Sequence, residues 1–554
     1  MHRLLLLLSL PALLLAQNQT PIRYVIDCHA DPIPNGITAA DRLAMASLWA
    51  TNTTWLLDTL EPVGARVSFL SGGTWAEQAT LGGVNGPCAV LLRRIATLHG
   101  QIGCHAHNEQ QAGANNWPQI LGTPTYAQCL DAWTDNFNAV QAAINMAFSV
   151  LPLPEPMASL MSVRNSHVPS NGAQFATLMQ GFSHHYRQGG TEEDYYGWYE
   201  HHIWNPYRPD ATNVMNEDLS APYIVIPQGS MLGVSAIHHG VLQDMTGPAV
   251  RKQFLQLYLN WRFRDRTGAP SRVWSWGYGS HPTEYDATDP TRIELPAWLA
   301  WLQTHFVTRV EPTGSQVFQF STQESVGAAL EAWETSHPGI ESFGGHALAV
   351  NWSEYPYLRA VAEEFHGFQW FADLALPGVN AFHLKRGALD GVLLWRDAGT
   401  GVVDISASAG PLVRVVNLET GQLLGTNAAS VTVGTAPILV TEMVTRTVLS
   451  GMPALGASIA LRVTAPANTP ALLAVALAPA NIPIPHMGAL LLDPATLTLL
   501  ASGNTGVTGS FVVPLTIPAV AALSGITFHV QGASLDFSGA SLKLATNAVQ
   551  VAIP

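Results

Sequence analysis

The chain has 554 residues, a length that suits roughly two to four domains. Its formal net charge is −14, and the sequence contains no basic run or stripe. Nucleic acid is therefore excluded as an expected partner, because binding to phosphates requires clustered Lys and Arg. Anionic membrane surfaces are disfavoured for the same reason.

The first residues predict export. Met1–Arg3 is a short basic start, Leu4–Leu15 is an apolar run, and Ala16–Gln17 ends it. This pattern is typical of a secretory signal peptide over residues 1–16. No later apolar run in the sequence has spanning length, so we expect a secreted or extracytoplasmic protein without a transmembrane segment after signal cleavage. The alternative is an uncleaved N-terminal anchor.

The segment 103–109, Gly-Cys-His-Ala-His-Asn-Glu, carries the residues of a possible metal site. If it forms a strand, successive side chains alternate between faces, and His105, His107 and Glu109 point the same way. Neutral imidazole nitrogens and carboxylate oxygens are good ligands for zinc and similar divalent ions. The pattern therefore predicts a divalent-metal site.

A second segment, 24–31, repeats this pattern with Asp27, His29 and Asp31 on one face. Either segment alone could be a polar strand end whose His is solvated or hydrogen-bonded. Two such strands in one N-terminal region favour the metal site over that alternative.

The four cysteines are Cys28, Cys88, Cys104 and Cys129. In an exported protein this even number permits two disulfides, with three possible pairings. Cys28 and Cys104 belong to the two strands above, on the faces opposite the His and Asp residues. We expect both to be buried, either free or bridged.

Strand and helix patterns alternate from about residue 20 to 340, which argues for a parallel α/β sheet or barrel. The predicted strands include Tyr24–Cys28, Ala65–Leu70 and Gln101–His105. The predicted helices are Ala39–Leu60, Cys88–Leu98, Tyr126–Phe148, Glu294–Val307 and Thr322–Trp333.

The middle of the chain, about 150–290, is less regular and rich in His and aromatic residues. Aromatic residues cluster at Tyr195, Tyr196, Trp198 and Tyr199. Aromatic-rich loops with few charges suit sugar rings, whose C–H faces stack on aromatic side chains. The alternative is that these residues simply cap a barrel.

The predicted organisation after the signal peptide has four parts. An α/β domain covers 20–345, and a helical extension covers 346–375. Short alternating runs with turn signals predict an all-β module over 376–450. The nearly uncharged segment 451–554 fits a C-terminal β-sandwich module.

Several short motifs occur in a recognisable order along the first 310 residues. They are the acidic strand Asp27–Asp31, the segments 65–70, 73–75 and 102–107, Val163-Arg164-Asn165, and the segments 179–182, 205–209 and 279–282. In this order the chain resembles a divergent member of the polysaccharide deacetylase (NodB-homology) superfamily. Members fold as a distorted (β/α) barrel and remove acetyl groups from N-acetylated sugars with a zinc or similar ion, an Asp base and a His acid.

The resemblance implies a metal-dependent hydrolase that removes N- or O-acetyl groups from a carbohydrate polymer or oligosaccharide. Matched by position, Asp31, His105 and His107 become the metal ligands, with Zn²⁺ as the expected ion. His29 and Glu109 are additional candidate ligands. Two His and one carboxylate leave coordination positions open for water and a substrate carbonyl.

The resemblance also implies catalytic and substrate-binding roles. Asp27 becomes the general base, although Asp27 and Asp31 could exchange their roles. His281 becomes the general acid, and Arg164 orients the base carboxylate. The expected substrate-binding residues are Trp75, Tyr207 and Arg208.

Two other functions remain open. The first is a glycoside hydrolase with paired carboxylates. Its candidate residues are Glu192, Glu193, Asp194, Glu200, Glu284 and Asp286. The second is a non-catalytic glycan-binding surface protein with a decayed site, because the family's usual motif has adjacent aspartates and here the acids are spaced at 27 and 31.

Overall fold

The protein is described by a computed structural model that divides into two compact units. The first unit comprises 1–247 and 260–344, and the second comprises 248–259 and 345–554. The described residues are 19–34, 36–106, 126–150, 163–165, 186–188, 204–208, 217–221, 224–226, 237–238, 241–242, 247–342, 364–365, 368–386, 389–405, 413–426, 430–442, 445–465, 469–484, 487–506, 510–536 and 541–553. The predicted signal peptide lies outside them. Among the helices described, none combines the length and apolarity that crossing a membrane requires.

The first unit has ten strands and most of the helices among its described residues. The strands are β1 (Ile22–Ala30), β2 (Val67–Ser71), β3 (Gln101–Ala106), β4 (Val163–Asn165), β5 (Tyr186–Gln188), β6 (Ile224–Ile226), β7 (Ile237–His238), β8 (Val241–Leu242), β9 (Trp274–Ser280) and β10 (Phe318–Ser321). The helices are α1 (Ala39–Leu60), α2 (Gly73–Gly82), α3 (Pro87–Thr97), α4 (Tyr126–Ala147), α5 (Gly247–Thr267), α6 (Thr291–Leu302) and α7 (Gln323–Ser336). Helix α5 contributes residues to both units.

Six of these strands form one parallel sheet. β1 pairs with β9 along one edge, and its other edge pairs first with β10 and then with β2. β3 and β4 follow β2 in order. The sheet confirms the predicted α/β class. β9 lies beside β1, as the last strand of a barrel does when it pairs with the first. Within the described residues no ladder joins β4 to β5 or β6 to β9, so a closed barrel stays a prediction.

The two faces of β1 have different surroundings. On one face, Tyr24 packs among aromatic rings of β9, β10 and α6, and Trp298 Nε1 donates a hydrogen bond of 2.7 Å to its hydroxyl. On the other face, Val25 joins a buried cluster with residues of β6 and α7. Side chains alternate along a strand, so Asp27 and His29 lie on the Val25 face, directed away from α6.

Two regions differ from the sequence prediction. α5 is a regular helix of 21 residues within the stretch that the sequence indicated to be irregular. Residues 369–373 form strand β11 (Gln369–Asp373) where a helical extension over 346–375 was predicted. β11 pairs with the strand that follows it, and this pairing satisfies its backbone groups as part of a sheet.

The second unit is rich in antiparallel strands. Besides β11 they are β12 (Asn380–Arg386), β13 (Leu389–Trp395), β14 (Gly401–Asp404), β15 (Val413–Asn417), β16 (Leu423–Thr426), β17 (Ser430–Val433), β18 (Ile438–Glu442), β19 (Arg446–Ser450), β20 (Ser458–Thr464), β21 (Pro470–Ala476), β22 (Pro479–Ile484), β23 (Gly488–Leu492), β24 (Thr498–Asn504), β25 (Ser510–Thr516), β26 (Thr527–Asp536) and β27 (Ser541–Ala552). β11 to β18 form a six-stranded and a two-stranded sheet that share one core. β19-β20-β25 and β24-β21-β26-β27 form two more sheets around a second core, as a sandwich requires.

The three cysteines whose side chains are described are not bridged. Cys28, Cys88 and Cys104 are free and buried, which excludes the two-disulfide arrangement that the even count permits. Burial raises the pKa of all three thiols, that of Cys88 to about 12. The thiolate, the reactive form, is therefore scarce at neutral pH.

We expect these three thiols to resist modification in the native protein. A thiol reagent applied at pH 8 should leave Cys28, Cys88 and Cys104 unmodified, and should modify them once urea has unfolded the chain. Peptide mass spectrometry distinguishes the sites. Rapid labelling of Cys28 or Cys104 without denaturant would contradict this placement.

Candidate functional site

The carboxyl ends of three parallel strands bring the predicted site residues together. Ala30 of β1 and Cys104 of β3 both pair with Ser71 of the intervening strand β2. The next row of the sheet therefore carries Asp31 and His105. Since residues of one row share a face in a parallel sheet, these two side chains meet across β2.

β9 supplies another imidazole from the opposite edge of β1. Cys28 pairs with Ser280, so the following row holds His29 and His281. Alternation puts His281 on the same face as His29 and Asp31. Three histidines from three separate strands thus converge where the strands end.

Asp31 lies between two of the three imidazoles. Its Oδ1 is 3.2 Å from His105 Nε2 and 3.8 Å from His281 Nε2. His105 is buried, whereas His281 is 25% exposed and Asp31 is 36% exposed. The cluster therefore has a closed end at His105 and an open end at Asp31 and His281, where water and a ligand have access.

The imidazoles also contact one another. The rings of His29 and His105 stack with centroids 5.0 Å apart and planes 15° apart. The His281 ring meets His29 edge-on at 5.5 Å. Two parallel imidazoles at this distance disfavour simultaneous protonation, because like charges repel strongly where water is scarce.

Asp27 lies behind His29 and away from the open end of the cluster. It is fully buried, and its Oδ2 accepts hydrogen bonds from His29 Nε2 at 2.5 Å and from Gln323 Nε2 at 3.0 Å. A general base must reach the proton of an attacking water, and this position is enclosed. This enclosure does not favour the predicted base role of Asp27, which stays a prediction. Its contact with His29 suits a residue that orients the imidazole.

A carboxylate also supports His281. Glu284 Oε1 lies 2.9 Å from His281 Nδ1, and Glu284 Oε2 accepts the His281 backbone N–H at 3.0 Å. The contact with the backbone N–H belongs to a capping box on the short 3₁₀ turn Pro282–Tyr285. With Nδ1 donating to the carboxylate, His281 Nε2 is the nitrogen that can give or take a proton on the Asp31 side.

Whether this cluster suits a divalent ion can be tested on its donor atoms. Two ligands held by one tetrahedral zinc at about 2.0–2.1 Å lie about 3.4 Å apart. The Asp31–His105 and Asp31–His281 distances of 3.2 Å and 3.8 Å lie on either side of this value. No group of three His, Cys, Asp or Glu in the described part of the chain is arranged to hold an ion. The described donor atoms therefore match the spacing of zinc ligands only two at a time. The predicted third ligand, His107, lies outside the described residues.

Other predicted site residues are described only in part or not at all. Glu109, the other candidate ligand besides His29, also lies outside the described residues. Arg164 is in β4, where its backbone pairs with His105, but its side chain is outside the described set. The role of Arg164 beside a base carboxylate stays a prediction.

The three expected substrate-binding residues lie in packed positions. Trp75 is fully buried and meets Phe69 edge-on, which leaves no ring face for a sugar. Tyr207 is also fully buried. Arg208 forms a two-pronged ion pair with Glu334, with distances of 2.7 and 2.9 Å. This burial and ion pairing do not favour substrate binding by the three residues, and that role stays a prediction.

The candidate carboxylates of a glycoside hydrolase are either outside the described residues or poorly suited to that role. Glu192, Glu193, Asp194 and Glu200 lie outside the described residues. Asp286 is exposed, and the backbone N–H of Thr288 lowers its pKa. A glycosidase general acid needs a raised pKa, so Asp286 does not suit that role. Both carboxylate oxygens of Glu284 contact His281, as described above.

Sequence patterns did not lead to Gln323 or to the supporting role of Glu284. Gln323 is 296 positions from Asp27, and no local pattern connects them. Glu284 follows His281 by three residues at a Pro-initiated turn, the spacing of a capping box. That spacing was a usable signal for its contact with His281.

Comparisons with known proteins leave the family open. No protein-family model matches the chain, and no curated protein matches it. The chain has weak similarity to solved structures, among them a GH30 endoxylanase from Clostridium papyrosolvens C71 (7% identity, 77% of this chain and 97% of that chain, TM-score 0.23). Others are a gamma-CGTase from Alkalophilic bacillus clarkii (7%, 97% and 98%, 0.19) and a cyclic maltosyl-maltose hydrolase from Arthrobacter globiformis (10%, 64% and 78%, 0.16). At these scores the alignments establish neither a shared fold nor a shared activity, and the resemblance to polysaccharide deacetylases gains no support from them.

Proposed function

We propose that this protein is a carbohydrate-directed hydrolase whose reaction centre is the cluster of Asp31, His105 and His281. The observation that carries the proposal is Asp31 Oδ1 lying 3.2 Å and 3.8 Å from two imidazoles at the open end of three parallel strands. Binding and catalytic residues concentrate at the carboxyl ends of parallel strands. The proposed reaction is removal of an acetyl group.

The residues divide the proton transfers between them. With Asp27 enclosed, the base role falls to Asp31, whose carboxylate oxygen not used as a ligand would take the proton of the attacking water. His281 then donates a proton from Nε2 to the leaving amine or alcohol, and Glu284 holds its ring in the required orientation. Each such acid or base contribution amounts to about 10²–10⁴ in rate.

A divalent ion, Zn²⁺ in the first instance, is part of this proposal. Asp31 and His105 would hold it, together with His107. When bound, the ion supplies polarisation of the substrate carbonyl and a more acidic water. Asp27 supports this ligand region indirectly, because a carboxylate behind an imidazole fixes its tautomer and orientation.

The composition of the sequence supports a neutral carbohydrate as the substrate class. The region 150–290 combines aromatic clusters with few charges, which suits neutral sugar rings better than anionic polymers. The net charge of −14 disfavours nucleic acid and other polyanions. We therefore propose an acetylated polysaccharide or oligosaccharide as the substrate.

One observation favours a second candidate, a glycoside hydrolase. Asp31 lies near Nε2 of His281, and Glu284 lies near Nδ1. Two carboxylates therefore flank this side chain at the open end of the cluster. Paired carboxylates are the basis of glycosidic cleavage. The contact of both Glu284 oxygens with His281 makes this candidate the weaker of the two.

The purified full-length chain decides between these reactions. Acetylated glucosamine oligomers and acetylated xylan should release acetate without new reducing ends. EDTA should abolish the release, and added zinc should restore it. The variant His105→Ala should lose the bound metal, measured by elemental mass spectrometry, together with the activity.

The matched control is His305→Ala, which removes an imidazole that packs against Trp301 away from the cluster. It should retain metal and activity. New reducing ends that form at an undiminished rate in EDTA would reject deacetylation and establish the glycosidase. Sugar binding without turnover or metal would indicate a binding protein.

A further inference from the structure

Along one edge, the neighbour of β1 changes from β10 to β2 halfway along the strand. A side chain from outside the sheet can approach β1 at this point. Val25 pairs with Ser321 of β10, whereas Ile26 already pairs with β2. If the pairing of β10 with β1 is extended two residues past Ser321, the residue opposite Asp27 is residue 323. That position holds Gln323, the first residue of α7.

Hydrogen bonds fix the backbone of Gln323 at this point. Its N–H donates to Ser68 Oγ at 3.0 Å, and the next N–H, that of Glu324, donates to Gln101 Oε1 at 3.0 Å. A capping box at the start of α7 satisfies further backbone groups. The side chain of Gln323 therefore starts from a rigid base.

The amide of Gln323 contacts the Asp27 carboxylate. It is fully buried, and its Nε2 donates to the same oxygen, Asp27 Oδ2, that contacts His29 Nε2. The NH₂ group of an amide only donates, so it favours Asp27 in its ionised, accepting form. When its ring is neutral, His29 must then carry its proton on Nε2 and keep Nδ1 as an acceptor.

We infer that Gln323 is a positioning residue that acts through Asp27 to fix the ring orientation and the Nε2–H tautomer of His29. Its effect on turnover rests on the proposed function, because His29 stacks on His105 within the reaction centre. Its effect on the tautomer of His29 does not depend on any activity. Supporting groups behind a functional imidazole typically change activity by about 10–100-fold.

The test measures the imidazole nitrogens directly. The full-length chain is labelled with ¹⁵N-histidine, and the His29 signals are assigned by their loss in His29→Asn. At pH 8 the parent protein should show one protonated and one unprotonated nitrogen. In Gln323→Met both shifts should move toward an average of the two tautomers, and kcat should fall roughly 10-fold with little change in KM.

Gln531→Met is the matched control, because it removes a buried amide of the second unit, whose hydrogen bonds go to Ala489, Leu491 and Ala545 and not to the cluster. It should lower stability without moving the His29 signals. If Gln323→Met fails to fold, Gln323→Asn retains an amide one methylene short of Asp27 and should show the same spectral change. Unchanged His29 shifts in a folded Gln323 variant would overturn the inference. If the parent protein hydrolyses nothing, the proposed function fails, while the spectra still decide the role of Gln323.

Discussion

Asp31→Asn is expected to lower kcat for acetate release by about 10²–10⁴-fold. The substitution keeps the size of the side chain but removes the negative charge that faces the His105 and His281 nitrogens at 3.2 Å and 3.8 Å. A neutral amide accepts a water proton poorly and is a weak ligand for a divalent ion. Steady-state kinetics with acetylated oligosaccharides, together with the metal content, measure both consequences.

A double substitution shows whether Asp31 and His281 act as one unit. His281→Gln alone should lower kcat about as much as Asp31→Asn, and the double variant should be little worse than either, because groups that act together are not additive. Asp58→Asn is the control, since Asp58 forms an exposed ion pair with Arg94. Such pairs contribute about 0–1 kcal/mol, and activity should be retained. Full activity of folded Asp31→Asn would remove Asp31 from the mechanism.

Local patterns were sufficient to predict much of the first unit. α1 has the predicted bounds, Ala39–Leu60, because its apolar spacing and the N-cap at Thr38 are both local signals. The common face of Asp27 and His29 follows from strand alternation, and the structure confirms it with their 2.5 Å contact. Period and capping are properties of short segments, so a single sequence reveals them.

The positions of Asp27 and Trp75 could not be predicted in the same way. Alternation states which face a residue occupies but not how deep it lies, and depth separates enclosed Asp27 from accessible Asp31. The enclosure of Asp27 depends on β10 and α7, which come nearly 300 residues later. Trp75 packs against Phe69 because α2 follows β2 directly, so its ring belongs to the core. These differences arise from tertiary packing, which no local window contains.

Gly277→Ala is expected to destabilise the first unit by about 3 kcal/mol or more. Gly277 of β9 pairs with Val25 of β1, and an added Cβ would overlap the Val25 carbonyl oxygen and its carbon. The obstacle is backbone in the central strand, so no side-chain rotation relieves it. β9 must separate from β1, and His281 then loses its place beside His29.

Hydrogen exchange followed by mass spectrometry locates this effect. Peptides that cover β1 and β9 should exchange faster in Gly277→Ala, and the urea midpoint should fall. Gly36→Ala is the control, because nothing lies within 4 Å of its added Cβ, and surface changes of this kind stay within about 0.5 kcal/mol. Equal protection of β1 and β9 in both variants would contradict the close β1–β9 pairing. Because this pairing brings His281 into one cluster with Asp31 and His105, a loosened ladder should also lower hydrolytic activity in the fraction that remains folded.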